Sequence, residues 1–505
     1  MKYYHTLKIL FLSLLAWACS GSGFVIAQRT LTLEEALDMA LTHNRELQGA
    51  AYHEQAAGFL RQASFTQFLP SFDFTGNYTR MNRDFRLLED DMLLPVVPYT
   101  AIDPETGQVS MDLLLDPDIS PPPTGVVFLP DTDIYMTDED GNPIFHSYTW
   151  IPAEETTFGQ RNNFLLNVGL IQPLFTGGKI RSQYRMASIL EEMAGQGRQK
   201  KQSEVLFETE VLFWELYSLQ EDLLLAEKAV EFLSRLERDL KNLHEEGMAS
   251  QNDVLRVSVK LNQANLDQFK AKNGVELASM ALCRMTGLPL TEEIKVSAEE
   301  DWALQVNSLD ELISRARERR PELKMASSAV DMGEQVVNMA RARFYPELLF
   351  GANYFQANPN PYRGFADSFG GDWNVGVTLR IPIFHWNERR HTLQATQMEK
   401  KVQELKLEDA RELVELEVTR AYHGYREALR RLSLMQLSLK QAEENLRLAR
   451  DNFEEGLLTL TELLEAQTLW QDAHAEKIAA RGDLRQAFAA LEKATGNNSL
   501  KNQDL

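Results

Sequence analysis

The side chains that could bind a metal ion or transfer a proton are scattered along this sequence. None of the nine histidines, such as His244, His385 and His423, forms a ligand motif with a second one. The two cysteines, Cys19 and Cys283, are too few for a disulfide framework or a cysteine-based zinc site. The sequence contains no nucleophile elbow, phosphate-binding glycine loop or HExxH motif. We therefore predict a protein that is not an enzyme and that holds neither a metal nor a cofactor.

Acidic residues are abundant, and they give the chain a net charge of −22. Such an excess is unfavourable for binding nucleic acid, which requires a basic face. Four aspartates in one segment could coordinate calcium, and these are Asp131, Asp133, Asp138 and Asp140. Their spacing does not match an EF-hand loop, so we expect them to lie in a solvated loop.

The chain repeats itself. Residues 33–78 align without a gap onto 309–354, a shift of 276 positions, and residues 163–288 align onto 372–497, a shift of 209. Self-similarity at such long periods predicts one structural unit built twice, packed around a pseudo-twofold axis.

The two shifts divide the chain. We expect a first repeat at 28–290, a second repeat at 291–497 and a tail at 498–505. Because the shifts differ, the first repeat must carry an insertion, at about 79–162. That insertion is rich in proline and in acidic residues, a composition that predicts a long and largely irregular loop.

Residues 1–27 have the features of a secretory signal peptide. Lys2 and Lys8 precede an apolar stretch, and Val25-Ile26-Ala27 offers a cleavage site. An alternative is that Cys19 becomes a lipidated N-terminus. Beyond this leader no run of about 18 apolar residues occurs, so no membrane-spanning helix is predicted.

Two long stretches without proline predict long helices, at 179–245 and 388–454. At a rise of 1.5 Å per residue each helix would extend roughly 100 Å, far beyond a compact globule. Gly247 and Gly456 follow these helices and should supply left-handed C-caps. Asn252 or Thr461 can then cap a second, shorter helix, which completes a lopsided hairpin in each repeat.

Four short segments alternate apolar and polar residues and so predict strands, near residues 72–78, 164–170, 348–354 and 373–381. A sheet with one lipid-facing side must close into a barrel, because every backbone amide in a bilayer has to be paired. Four strands are too few for closure, which needs about eight, and three chains would supply twelve. The alternative is a half-buried sheet in a soluble protein.

The order of these motifs resembles the TolC family of outer membrane efflux proteins. The resemblance rests on Leu33-Glu34-Glu35-Ala36-Leu37, on Arg320-Pro321-Glu322-Leu323, on the stretch from Gln172 to Lys179 with its echo Ile381-Pro382-Ile383-Phe384, and on the two glycine turns. It implies a mainly α fold with a membrane β-barrel. In such a fold, long helical hairpins form a periplasmic tunnel, and four strands per chain contribute to a trimeric twelve-stranded barrel.

The resemblance also implies a function. The protein is expected to be an outer membrane channel, the passive exit duct of a tripartite efflux or export system. It would be a homotrimer that contacts outer membrane lipid, a periplasmic adaptor and, through the adaptor, an inner-membrane pump. Two alternatives stay open: the outer membrane component of type I protein secretion, and a periplasmic coiled-coil scaffold without a pore.

Family likeness places the adaptor contact at the two hairpin turns. The residues concerned are Gly247 and Ser250 in the first turn and Gly456 and Thr459 in the second. Family members often carry a basic residue near the second turn that joins neighbouring chains. This sequence has Leu458 there and no base beside it.

The same likeness predicts a periplasmic constriction formed by Glu462 and Glu465, with Asp253 at the matching site of the first repeat. Three symmetry copies of each carboxylate would make a ring that favours cations. The alternative is local, since acidic residues in the first turn of a helix interact favourably with the helix dipole.

Overall fold

A computed structural model describes residues 29–83, 85–119, 121–158, 160–297 and 307–497. The predicted signal peptide, Cys19 and the predicted tail lie outside these residues. The chain forms two compact units. We call the stretches up to Phe65, Gly178–Arg343 and from Phe384 onward the helical unit, and Thr66–Gly177 with Phe344–Ile383 the strand unit.

In the described residues, the helical unit contains four pairs of helices. They are α1 (Leu33–His43), α2 (Arg45–Thr66), α3 (Lys179–Glu245), α4 (Gln251–Thr286), α5 (Leu309–Arg319), α6 (Pro321–Ala342), α7 (Glu388–Glu454) and α8 (Leu460–Thr495). Two three-residue strands, Arg29–Leu31 and Ile294–Val296, pair in parallel beside them.

The helix bounds coincide under the two sequence shifts. Adding 276 to the bounds of α1 and α2 gives those of α5 and α6, and adding 209 to those of α3 and α4 gives those of α7 and α8. The long helices α3 and α7 each contain 67 residues, and α4 and α8 each contain 36. The predicted long helices are therefore confirmed, at both ends.

Apolar stripes hold the long helices to their neighbours. α3 packs against α4 and α8, and α8 packs against α7. The stripe of α7 is buried at Tyr425, Ala428 and Leu432, in one core with Leu484 and Leu491 of α8. Burial of each large apolar side chain contributes about 1.5–3 kcal/mol. Packing along the whole length explains why such long helices are stable outside a globule.

Two glycines end the short arms of the hairpins at points of close approach. Gly287 follows α4 with φ +77°, and Gly496 follows α8 with φ +69°. A Cβ on Gly287 would lie 2.6 Å from the His43 Cβ atom, and one on Gly496 would lie 3.1 Å from the Arg319 Cβ atom. Both positions require glycine for its left-handed backbone and its lack of a side chain.

The strand unit contains a four-stranded antiparallel sheet. Its strands are β1 (Ser71–Arg80), β2 (Asn162–Phe175), β3 (Glu347–Asn358) and β4 (Gly370–Arg380), in the order β4-β3-β2-β1. The four predicted strands are thus confirmed, and the ladder register determines which residues share a face.

One face of this sheet is apolar and exposed. Two of its rows consist of Trp373, Tyr354, Val168 and Phe74, and of Val375, Ala352, Leu170 and Phe72. Within the first row, Phe74 is 70% and Trp373 68% exposed. The opposite face carries polar rows such as Asn374, Asn353, Gly169 and Asp73. The sheet therefore has one apolar and one polar face.

The insertion between β1 and β2 is more ordered than the sequence predicts. The β1–β2 ladder continues into it, through the pair Phe85–Arg86 with Thr157–Phe158 and the pair Met92–Pro95 with Tyr148–Ile151. The remaining short elements are the helical turns Tyr99–Ala101, Met111–Leu114 and Ala153–Thr156. A small core of Ala101, Leu114 and Val126 closes the far end. The prediction of an irregular loop is wrong for these segments. Their backbone N–H and C=O groups gain hydrogen bonds by extending an existing ladder.

Asp138 of the insertion stabilises a turn. The carboxylate of Asp138 accepts the backbone N–H groups of Asp140 and Asn142, at 3.0 and 2.8 Å. These bonds lower the pKa of Asp138, with the Asn142 amide as the largest cause. Asp138 thus forms an Asx-type turn.

Among the helices of the described residues, none combines the length and the apolar character needed to cross a bilayer.

Candidate functional site at the two hairpin turns

Each long helix ends at a glycine in the left-handed conformation, as predicted. Gly247 has φ +80° and Gly456 has φ +71°. After Gly247 the Met248 N–H donates to the Leu243 carbonyl at 2.7 Å, and after Gly456 the Leu457 N–H donates to the Asn452 carbonyl at 2.8 Å. These bonds satisfy carbonyls that the end of a helix leaves open.

The caps of the short helices differ from the prediction. Ser250 and Thr459, and not Asn252 and Thr461, are the N-cap residues. The Ser250 hydroxyl accepts the N–H of Asp253 at 3.2 Å. Both helices begin one residue after these caps, which places Asn252 and Thr461 inside the first turn, beyond the capping position.

The predicted constriction residue Glu462 takes part in a capping box with Thr459. Its Oε2 atom accepts the Thr459 backbone N–H at 2.9 Å and the Thr459 hydroxyl at 2.7 Å. The Glu462 N–H donates back to that hydroxyl oxygen at 3.4 Å. The hydroxyl bond, followed by the backbone bond, lowers the pKa of Glu462. Glu462 is therefore an exposed carboxylate that stays ionised and also caps α8.

The other two predicted carboxylates occupy comparable positions. Asp253 lies in the first turn of α4, where its Oδ2 atom accepts the Ser250 hydroxyl at 2.6 Å. Glu465 lies one turn beyond the cap of α8 and is exposed. The local role at a helix N-terminus is thus observed for Asp253 and Glu462, and a charge facing outward is compatible with it.

The structure brings the two turns together at one end of the helical unit. Val257 of α4 is fully buried in one cluster with Leu460, Leu463 and Leu464 of α8. The Arg256 Nη1 atom donates to the Thr461 hydroxyl oxygen at 2.7 Å. All seven predicted site residues therefore lie at or beside two adjacent turns.

Arg256 is the functional candidate that sequence reasoning missed. The sequence was searched for a base near the second turn, whereas Arg256 belongs to the first hairpin and reaches across to the second. Its signal was its place in the second turn of α4, three residues after Asp253.

This arrangement can present charge and hydrogen-bonding groups at a tip. Two turns, three carboxylates and one guanidinium meet there, all on helix ends that the caps hold in place. Among the described residues, no three His, Cys, Asp or Glu side chains gather as a metal-binding group would.

Comparison with known proteins gives a consistent result. A family model described as outer membrane efflux protein matches residues 144–288 and 312–497. Protein CyaE of Bordetella pertussis is 28% identical over 347 residues, which cover 67% of this chain and 71% of that protein. The alkaline protease secretion protein AprF of Pseudomonas aeruginosa is 25% identical over 349 residues, covering 66% and 70%.

The fold is shared with solved channels. The CmeC outer membrane channel of Campylobacter jejuni superposes with a TM-score of 0.67, over 92% of this chain and 85% of that one, at 17% identity. At this identity the likeness concerns the fold alone.

Proposed function

Because the chain belongs to the outer membrane efflux protein family, we propose that it is the exit duct of a tripartite export system. The family and the fold are those of outer membrane channels and not of enzymes. In the proposed system the duct is passive, an inner-membrane pump supplies the work, and a periplasmic adaptor joins the two.

The observation that carries this proposal is the four-stranded sheet with its exposed apolar face. Phe74, Val168, Tyr354 and Trp373 form a row that suits lipid tails, while the opposite face is polar and suits water. Within the described chain, β1 and β4 each have one edge without a partner strand. Since lipid offers no hydrogen bonds, those edges must pair with other copies. We propose that three copies form a twelve-stranded barrel.

The helices support the same assembly. The hairpin helices pack in the order α4, α3, α8, α7, and α6, like α8, packs against both α3 and α7. The helices α4 and α7 are therefore the two flanks. Both flanks expose apolar side chains, which include Leu255, Val259, Leu266 and Phe269 on α4, and Leu413, Leu416, Leu434 and Leu437 on α7. If α4 of one copy packs against α7 of the next, the contact is head-to-tail and closes into a ring. The coinciding helix bounds support two structural repeats per chain, each with one long and one short hairpin helix. Three copies would then supply twelve such helices to a periplasmic tunnel.

Assembly is tested by placing one charge on each face of the sheet. Trp373→Arg puts a cation on the apolar face, where its cost in lipid is about 2–4 kcal/mol near the midplane. Asn374→Arg puts the same cation on the polar face and is the control. We expect the first variant to lose channel activity in planar bilayers and the second to keep it.

The wild-type protein is the more severe test. A trimer in detergent that conducts in bilayers agrees with the duct. A monomer that stays soluble without detergent and is electrically silent would instead favour the scaffold.

At the turns we propose that Gly247, Ser250, Gly456 and Thr459 lie in the adaptor contact and that Glu462, Glu465 and Asp253 line the constriction. The low pKa of Glu462 supports this, since a ring must be ionised to select cations.

The ring is tested by removing charge while keeping the caps. Glu462→Gln with Glu465→Gln preserves the capping box, because Gln also serves at that position. We expect a lower ratio of cation to anion permeability in single-channel recordings. The control is Glu408→Gln with Glu412→Gln, which removes two exposed charges from α7 far from the turns. Equal selectivity in all three proteins would contradict a ring.

A second candidate is the export of proteins. The name of AprF refers to protease secretion, and its match spans 70% of that protein, whereas the match to the toluene efflux pump protein TtgC of Pseudomonas putida spans 46%. Deletion of the gene separates the two: loss of a secreted protein supports secretion, and intracellular accumulation of a fluorescent dye supports efflux.

A further inference from the structure

A cavity of about 550 Å³ that is open to solvent lies in the helical unit and is lined by three exposed cationic side chains. Arg317 comes from the last turns of α5, Lys324 from the first turn of α6, and Arg411 from the middle of α7. The other lining residues are Leu323, Ser327 and Leu407. Such a concentration of positive charge is unexpected in a chain of net charge −22.

Among the residues that the structure describes, only Arg317 of these three cations forms an ion pair. The Arg317 Nη2 atom lies 2.7 Å from the Glu415 Oε2 atom. Lys324 and Arg411 form no ion pair with any residue that the structure describes.

The first half of the helical unit provides a built-in comparison. Under the two sequence shifts, the positions of Arg317, Lys324 and Arg411 correspond to Leu41, Gln48 and Gln202. The helices that carry them have the same bounds as their counterparts. Neutral residues therefore suffice to form these helices, so helix formation does not require the charges of Lys324 and Arg411.

We propose that this cavity binds an organic anion of about two negative charges, through a phosphate or carboxylate group. Two uncompensated cations match such a charge. The Arg411 guanidinium offers paired N–H donors suited to a phosphate or carboxylate, and Lys324 offers a point charge.

The rest of the lining limits the ligand further. Ser327 adds a hydroxyl donor, and the side chains of Leu323 and Leu407 provide an apolar wall beside the charges. A ligand with a short organic body next to its anionic group fits this mixture, since pockets combine apolar walls with a few polar groups that orient the ligand. A soluble phosphate ester and the headgroup of an anionic lipid share this chemistry.

The experiment is a titration of the full-length protein in a neutral detergent by calorimetry. One arm uses glycerol 3-phosphate, and the other uses mixed micelles that contain phosphatidic acid, since both carry a phosphate monoester. We expect saturable binding in at least one arm, and the arm that responds identifies the source of the anion. The binding should weaken as NaCl is raised, because salt screens exposed charges. No saturable binding in either arm overturns the proposal.

The variant Lys324→Gln with Arg411→Gln introduces the residues found at the matching positions of the first half, so it should fold. We expect its affinity to fall about tenfold or more. The control Arg430→Gln with Lys440→Gln removes the same charge from exposed sites on α7 outside the cavity. Its affinity should stay within about twofold of the wild type. Equal loss in both variants, or in neither, overturns the site.

Discussion

The two halves of the helical unit share their helix bounds but differ in the polar groups placed between the helices. Buried Asn44 of the first half corresponds to buried Arg320 of the second, and Glu210 corresponds to Thr419. Caps, glycines and apolar spacing are common to both halves and are sufficient to set where helices begin and end. Positions at which the two halves carry different residues are therefore not needed to set the helix bounds. The charged residues that occur in one half alone lie at such positions.

The largest expected difference concerns the glycines that end α4 and α8. Gly287→Ala should cost about 4 kcal/mol, because it adds left-handed strain to an overlap with His43, whereas Gly496→Ala should cost about 2 kcal/mol, because its contact is less severe. Thermal unfolding in detergent measures both. Gly424→Ala, in the interior of α7 with open space around it, is the control and should raise stability. If all three variants behaved alike, the close approach would be irrelevant.

The next difference depends on pH and concerns Glu210 of the first half, whose counterpart in the second half is Thr419. Burial, followed by repulsion from Glu492, raises the pKa of Glu210 to about 7. A raised carboxyl pKa means that the folded state binds the proton more tightly than the unfolded state. The stability that protonated Glu210 contributes is therefore full below the pKa of this carboxyl in the unfolded state. It is lost as pH rises through 7, by up to roughly 3 kcal/mol. Glu210→Gln should be the more stable protein at pH 8 and should lose this dependence, as measured by unfolding between pH 5 and 8.

A smaller effect is expected where α1 meets α2 and α5 meets α6. Arg320 donates to the Lys493 and Ala494 carbonyls at 3.3 and 3.2 Å and so satisfies the end of α8. Arg320→Ala should cost about 2 kcal/mol, since these charged hydrogen bonds are lost from a buried site. Asn44→Ala should cost about 1 kcal/mol, because Asn44 caps α2 and makes in addition one weak hydrogen bond, from its Nδ2 atom to the Met285 sulfur. Chemical unfolding of both variants ranks them, and the reverse order would refute this account of Arg320.

The smallest effect concerns the caps of the hairpin turns. Thr459→Ala should cost about 1 kcal/mol and Ser250→Ala about 0.5 kcal/mol, because only Thr459 has the reciprocal bonds of a capping box. Hydrogen exchange in the first turns of α8 and α4 should speed up accordingly. Asn252→Ala tests the sequence-based assignment and should leave exchange unchanged.

The candidate site was predictable in part. Gly247 and Gly456 were readable because a glycine after a long helical pattern has few other reasons to be there. The true caps were also present in the sequence, as Ser250 and Thr459 three residues before an acid, but the neighbouring Asn252 and Thr461 competed with them. Arg256 was missed because its partner, Thr461, is 205 residues away.

The insertion shows the same limit in the strand unit. Proline content and acidity predicted irregularity, and composition alone cannot tell a loop from a strand that pairs. Leu93 pairs with Trp150 because the pairing of β1 with β2 already holds these two segments of the chain side by side. The pairing of these segments of the insertion was therefore determined by the adjacent strands β1 and β2.

By itself the sequence predicted the bounds of the two long helices, the positions of the four strands and the repetition of this pattern along the chain. Those properties depend on caps, turns and periodicity, which act over a few residues. Only the tertiary structure decided that Arg317, Lys324 and Arg411 share a cavity, that Glu210 is withdrawn from water, and that the two turns meet. The reason is physical: side chains far apart in sequence converge only once the packing register of long helices is set, and that register is a property of the whole assembly of contacts.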